Sequence, residues 1–298
     1  MCRYWSMNRF VTVLLVVFIT QGVFAHPQVS ISGAVEWDTL RLNAEVMLDM
    51  ASAGLRLPAG RNQGEALLLD GFRDIIKHHI LDLRVDSSST VGDLVNRGEL
   101  TLSDIETLAF GANSLPPAMR PDLRHIFSSH EISLSTISNS LLQHHFPTPV
   151  IRTLSPVTTP RFTGIIIIAT ESLPVHGMRG TALPVPSLFP RIWDSEMNLI
   201  YERSMVETRN APIVRYAPMQ DILQNTPSGL TPELQQIVGD RPLRIFAQGV
   251  FGIAPTDLII DRNDALLIIS SDENRRLLTQ GRVAIILDES VLRYEFGR

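Results

Sequence analysis

The sequence has one cysteine, Cys2, and one lysine, Lys77, and arginine carries nearly all of its positive charge. Cys2 precedes the first apolar run, so a chain cut behind that run has no thiol, no disulfide and no cysteine-based metal site. Cys2 also cannot be the lipid-bearing cysteine that follows a lipoprotein signal. Acidic and basic residues are spread without blocks, and the formal charge is −5. A nucleic-acid footprint needs Lys and Arg clustered on one face, which this pattern does not offer. The chain has no Gly-x-Ser-x-Gly elbow, no His-Glu-x-x-His pair and no phosphate loop, which removes the commonest motif-borne chemistries.

The amino terminus is the most distinctive segment. Arg3 and Arg9 precede an apolar run over residues 11–25, Val23 and Ala25 occupy the −3 and −1 positions, and His26-Pro27 follows. A basic lead, a short apolar run and small or apolar residues before a turn describe a secretory signal. The run is shorter than the ~20 residues that span a bilayer. Export with cleavage after Ala25, into the periplasm or cell envelope, is therefore expected. An uncleaved anchor is the alternative, with Met1–Ala25 as the only membrane contact. What remains is long enough for one large or two small domains, and 44% hydrophobic residues provide an ordinary core.

Periodicity organises the rest. From 35 to 49, Leu40, Leu42, Ala44, Val46 and Leu48 alternate with polar residues, predicting a strand with one buried face. From Arg61 to about Leu83 the spacing becomes three to four, with Ala66, Leu69, Phe72, Ile76, His79 and Ile80 inward, predicting an amphipathic helix. Asp86 to Ser89 offer caps and a turn. A short helix near 91–97 should stop at Gly98. Ser103, with Glu106 three residues on, predicts the N-cap of a helix reaching Phe110. Alternation over 130–137 suggests a return strand, and 137–145 a short helix.

Four prolines between 146 and 160 mark a boundary. Beyond it, Ile165 to Ile168 predict a central strand buried on both faces. An ordered loop is expected over 173–190, then a hairpin with strands 191–193 and 199–201. Short strands follow near 213–216, 243–251 and 257–260. Asp261 should cap one helix from 262 to about 279, Gly281 should end it, and Val283 to Leu287 should form the last core strand. The reading is an α+β protein: two small helix-on-sheet domains, at 26–146 and 161–290, joined by a linker over 147–160 and preceded by a signal over 1–25.

Site chemistry is sparse. His78-His79 and His144-His145 are adjacent pairs, and neighbours on a helix diverge by about 100°, so such pairs rarely close a metal shell. His125, His130 and Glu131 do not have a recognised ligand spacing. Asp257, Asp261 and Asp264 cluster near a strand-helix junction, where capping and helix-dipole placement account for Asp261 and Asp264, and a calcium site would want more oxygen ligands in a tighter loop. Catalytic, metal and cofactor residues are expected to be none. Trp37, Trp193, Tyr201 and Tyr216 are candidates for a cleft wall or for the core. The loop residues Met178, Leu183, Val185 and Leu188 form the candidate interaction surface, their own domain core being the competing use.

Five stretches carry a resemblance: Leu57–Arg61, Val85–Leu94, Phe162–Ile167, Pro190–Asp194 with Ile200-Tyr201, and Asp257–Ala265 through Gly281–Ile286. In this order they resemble bacterial envelope proteins related to the twenty-kilodalton surface lipoprotein and to flagellar P and T proteins, with two-domain spirochaete envelope proteins fitting best. The resemblance marks the first half as lipoprotein-like. It implies a non-enzymatic, exported structural or assembly protein of the cell envelope, with association to the periplasmic part of the flagellar motor. Partners would be envelope or motor proteins, or copies of itself, and no cofactor. The alternative is a periplasmic binding module for a small molecule or an envelope polymer.

Overall fold

The computed structural model describes residues 29–142, 147–206 and 214–297. The first domain opens with an antiparallel hairpin, β1 (Val29–Glu36) and β2 (Arg41–Asp49). The single strand expected over 35–49 is therefore two strands. Trp37 to Leu40 turn between them, with Leu40 at a φ of 56°. Leu42, Ala44, Val46 and Leu48 are buried, as the alternation requires. On β1 the signal is weak because Ser30, Ser32 and Gly33 interrupt it.

Helix α1 (Arg61–Leu81) covers one face of this sheet, burying Gly64, Leu68, Phe72, Ile76 and Ile80. Its inward stripe runs through Gly64 and Leu68 rather than through Ala66 and Leu69. Leu67 to Leu69 are three consecutive leucines, so composition alone does not fix the phase. Gly64 packs so closely that an added Cβ would lie 2.6 Å from the Met50 sulfur. Helix α2 (Val91–Asn96) begins at a Thr90–Asp93 capping box. Helix α3 (Leu102–Phe110) begins at a Thr101–Asp104 box, not at Ser103. Both Thr–Asp pairs close reciprocally, giving the first amides and the cap amide their partners.

The short strands β3 (Asn113–Ser114) and β4 (Ala118–Met119) lie against β5 (His125–Ser133), which pairs antiparallel with β2. The return strand thus starts five residues earlier than expected and stops at Ser133, and Leu134 opens helix α4 (Leu134–Leu141) instead of lying within the strand.

The second domain contains β6 (Ile165–Ala169), the small hairpin β7 (Leu173–Pro174) and β8 (Thr181–Ala182), and the hairpin β9 (Ile192–Asp194) and β10 (Leu199–Tyr201). Then come β11 (Arg215–Pro218), α5 (Pro232–Val238), β12 (Leu243–Phe251) and β13 (Asp257–Ile260). Two helices follow, α6 (Arg262–Ile269) and α7 (Asp272–Thr279), where one was expected. Ser271 divides them by capping α7 through the Asn274 amide. Gly281, at φ 65°, turns the chain into β14 (Val283–Leu287), and α8 (Glu289–Leu292) and β15 (Arg293–Phe296) end it.

The second sheet runs β10-β9-β13-β12-β6-β14-β11. β6 is central and parallel to both neighbours. Ile165 and Ile167 face the large core that takes in α6 and α7, while Ile166 and Ile168 face a smaller core under α5. Four isoleucines in a row are used because both faces are covered. Each one fully buried contributes roughly 1.5–3 kcal/mol.

The first sheet runs β15-β1-β2-β5-β3. Its edge strand is β15, from the far end of the chain, with Glu36 opposite Arg293 and Gly33 opposite Phe296. The linker over 147–160 is irregular and held to the second domain. The Val157 amide donates to Ser270 Oγ at 3.1 Å and Thr159 Oγ1 to the Leu267 carbonyl at 3.0 Å. No helix among the described residues is long and apolar enough to cross a membrane.

Candidate functional site

The two domains meet along a seam built by the loop between α1 and α2. The Leu188 and Phe189 amides donate to the Arg84 and Val85 carbonyls, at 2.9 and 2.7 Å, and the Ala254 amide donates to Ser87 at 2.9 Å. Trp37 meets Tyr216 edge-on, ring centroids 5.9 Å apart. The Tyr216 hydroxyl donates to the Ser187 carbonyl at 2.8 Å and accepts from its amide at 3.0 Å.

Asp257, at the start of β13, is buried at the centre of this seam. Ser87 Oγ donates to it at 2.9 Å, the Arg191 amide at 3.2 Å, Thr256 Oγ1 at 3.2 Å and the Trp193 indole at 3.4 Å. The Arg191 guanidinium lies 3.8 Å away and also pairs with Asp86 at 3.1 Å. Burial pushes the Asp257 carboxyl up from its ordinary pKa, against the pull of these donors. Its oxygens are engaged by five groups, so the carboxylate acts as a clamp between the domains. Ser87 and Asp257 are 170 residues apart, and no local signal links them.

Beside this knot lies a cleft of about 500 Å³. Val35 and Trp37 form one wall, and His79, Asp82, Leu83 and Arg84 contribute from the end of α1 and just beyond it. Val185 and Pro186 close it from the second domain, and Val291, Tyr294 and Phe296 from the carboxyl end. His79 stacks on Phe296 with centroids 4.0 Å apart, and burial lowers its pKa. A larger groove, about 760 Å³, crosses the outward face of the first sheet. Its Glu36, Glu45, Glu131 and Glu295 face Arg293, Arg120, Arg41 and Arg293 in ion pairs of 2.6 to 3.6 Å. The groove is polar and paired, whereas the cleft is mainly apolar with a few polar groups at its mouth, the usual make-up of a small-molecule site.

The four loop residues singled out in the sequence are divided. Met178 is 63% exposed, while Leu188 is buried in the core. Leu183 and Val185 are half-buried, and Val185 lines the cleft. They do not make one exposed surface. Of the four aromatic residues only Trp37 lines the cleft. Tyr201 and Tyr216 are buried, Trp37 is buried with one side on the cleft, and Trp193 packs against Phe251, 5.8 Å away.

His78 is exposed and His79 half-buried; His144 and His145 lie outside the described residues. His125 binds Asp122, and His130 stacks on Phe72 at 3.7 Å and bonds Ser128 at 2.7 Å. Five residues apart on β5, the two point to opposite faces. Asp261 caps α6 through the Asn263 amide at 2.7 Å. No group of three or more metal-ligating side chains occurs among the described residues. Asp82, Arg84 and Tyr294, which line the cleft, went unnoticed in the sequence. The only available signal was the Tyr294–Phe296 alternation after α8.

Residues 28–140 match the family model for the N-terminal domain of Treponema pallidum Tp0624, and residues 164–289 match the model for its second domain. No curated protein matches the chain. The two matched stretches take in most of the sequence, which carries both Tp0624 domains in the same order.

Proposed function

For a chain composed of the N-terminal and second domains of the Tp0624 type, we propose an exported, non-enzymatic role in the assembly of the bacterial cell envelope. The observation that carries the reading is the seam. Ser87, Asp86, Arg191 and the buried Asp257 bind one domain to the other, so a buried, charged cluster serves to hold two modules in register. A two-module body with fixed geometry and open sheet surface suits a part that positions other molecules. The leader over 1–25 supports export, with its basic lead, short apolar run and Val23/Ala25 cleavage signature. Resemblance to the surface-lipoprotein and flagellar P and T proteins supports an envelope setting, including the periplasmic part of the flagellar motor.

The test is cell fractionation of the native host, with the amino terminus of the purified protein read by mass spectrometry. The expected product starts at His26 and co-fractionates with the envelope. Full-length, unprocessed protein in soluble cytosol would overturn the proposal. A deletion strain with intact motility and normal motor images would remove the flagellar part of it alone.

A further inference from the structure

We propose that the seam cleft binds an amphipathic small molecule with an anionic head on an apolar body, a medium-chain carboxylate being its simplest form. The site adds a ligand to the assembly role and does not depend on export.

Size comes first. A cavity of about 500 Å³ lies within the roughly 300–1,000 Å³ range of small-molecule sites. Its wall is apolar and comes from both domains: Trp37 and Leu83 from one, Val185 and Val291 from the other, with Phe296 across the first sheet's edge. Tyr294 lines the cleft yet is 63% exposed, so a large ring stands open to whatever enters. An apolar body would find partners along this wall that water does not supply.

The head is set by the mouth, where Arg84, Arg293, Asp82 and Ser290 stand. Arg293 is committed to Glu36 and Glu295 at 3.6 and 3.5 Å. Arg84 makes no ion pair among the described residues. Its backbone is fixed, bridged to Thr90 and accepting from the Leu188 amide at 2.9 Å. A planar guanidinium on a fixed backbone matches a carboxylate or phosphate edge. Asp82 is the one carboxylate lining the mouth and opposes this preference, and the Arg84 charge also acts on Asp93 of α2, so the preference for an anion rests on the guanidinium's hydrogen-bonding edge rather than on an excess of positive charge. His79 and Tyr294 are the remaining titratable groups that line the cleft.

The experiment is titration of the full chain, purified without detergent, with dodecanoate below its micellar concentration. Dodecylammonium and inorganic phosphate are the comparison probes. The readouts are calorimetric stoichiometry, Trp37 emission (with Trp37→Phe to assign it) and Tm. One dodecanoate should bind per chain and raise Tm, since it bridges elements of both domains. Dodecylammonium should bind at least tenfold more weakly. Arg84→Gln should weaken dodecanoate about tenfold and leave dodecylammonium unweakened or tighter, since a repelling charge is removed. Val185→Trp should fill the cleft and abolish binding, and Val291→Phe should do the same if that variant does not fold. Uptake of many molecules per chain, equal affinity for the ammonium, no effect of Arg84→Gln, or phosphate binding as tightly as dodecanoate would each overturn the proposal.

Discussion

Replacing Asp257 by alanine tests whether the seam is held by its buried carboxylate. The substitution strips partners from Ser87 Oγ, the Arg191 amide, Thr256 Oγ1 and the Trp193 indole, and leaves Arg191 without a charge 3.8 Å away. Removing one member of a buried charged cluster costs roughly 3–5 kcal/mol, because the groups left behind stay desolvated and unpaired. For a chain of this size the shift in Tm is on the order of 10 °C. Asp257→Asn should be milder, at about 1–3 kcal/mol. Its carbonyl can keep the Arg191 amide, and its amide group can donate to Ser87, but it turns a donor toward the Trp193 N–H. A surface control separates the two regimes. Arg41–Glu131 spans 2.9 Å with both partners exposed, and Glu131→Gln should cost less than about 1 kcal/mol. Differential scanning calorimetry supplies the assay. Asp257→Ala should also split or broaden the transition as the domains uncouple. A single sharp transition within about 2 °C of the parent would refute the reasoning. The carboxyl's own titration has the opposite sign from most acids here. Its pKa is raised in the folded state, so its contribution to stability is largest at low pH and falls as pH rises through that value.

Three further outcomes follow from particular contacts. Thr101→Ala should destabilise by about 1 kcal/mol, and Ser103→Ala by much less, in urea titrations, because Thr101 holds the α3 cap. Gly33→Ala should cost about 3 kcal/mol or more, since its Cβ would sit 2.2 Å from the Asn43 carbonyl oxygen. Gly64→Ala should cost less, because its obstacle is the flexible end of Met50; equal losses in the two variants would contradict this. His79 and His130 both have folded-state pKa values lowered by burial. The unfolded chain therefore takes up their protons first, and stability should be full above about pH 6.5 and decline as pH falls below it. In His130→Gln the Tm should vary less between pH 7 and 5 than in the parent, and an unchanged slope would exclude His130 as a source.

What could be read from the sequence was what has a period. The β2 alternation and the Phe72–Ile76–Ile80 spacing each mark a face, and Ile165 to Ile168 mark burial on two faces; all three hold in the fold. Errors arose where two local solutions compete. Thr101–Asp104 and Ser103–Glu106 are both capping boxes on paper, and the first is used, with Asp104 returning to the Thr101 amide at 2.8 Å. Apolar content from 262 to 279 reads as one helix until Ser271 caps a second. β1 fell below notice because serine and glycine occupy its outward positions and its crowded centre.

The seam was beyond reach for a different reason. Its defining contacts pair residues that are distant along the chain: Ser87 with Asp257, Trp37 with Tyr216, and β1 with β15. Closing such loops costs entropy that grows only logarithmically with length, about 0.6 kcal/mol per doubling, so long separation does not forbid the contacts. It does delay their reward until both domains exist. Before β15 arrives, Val35, Trp37 and His79 have no Tyr294 or Phe296 beside them, and the first sheet ends at β1. The cleft therefore forms only once β15 has paired with β1. Its walls are the places where each domain, taken alone, would expose apolar surface to water. A site made from the incomplete edges of two modules leaves no motif within either one, which is why Arg84 and Tyr294 look like ordinary surface residues until the fold brings them to the same opening.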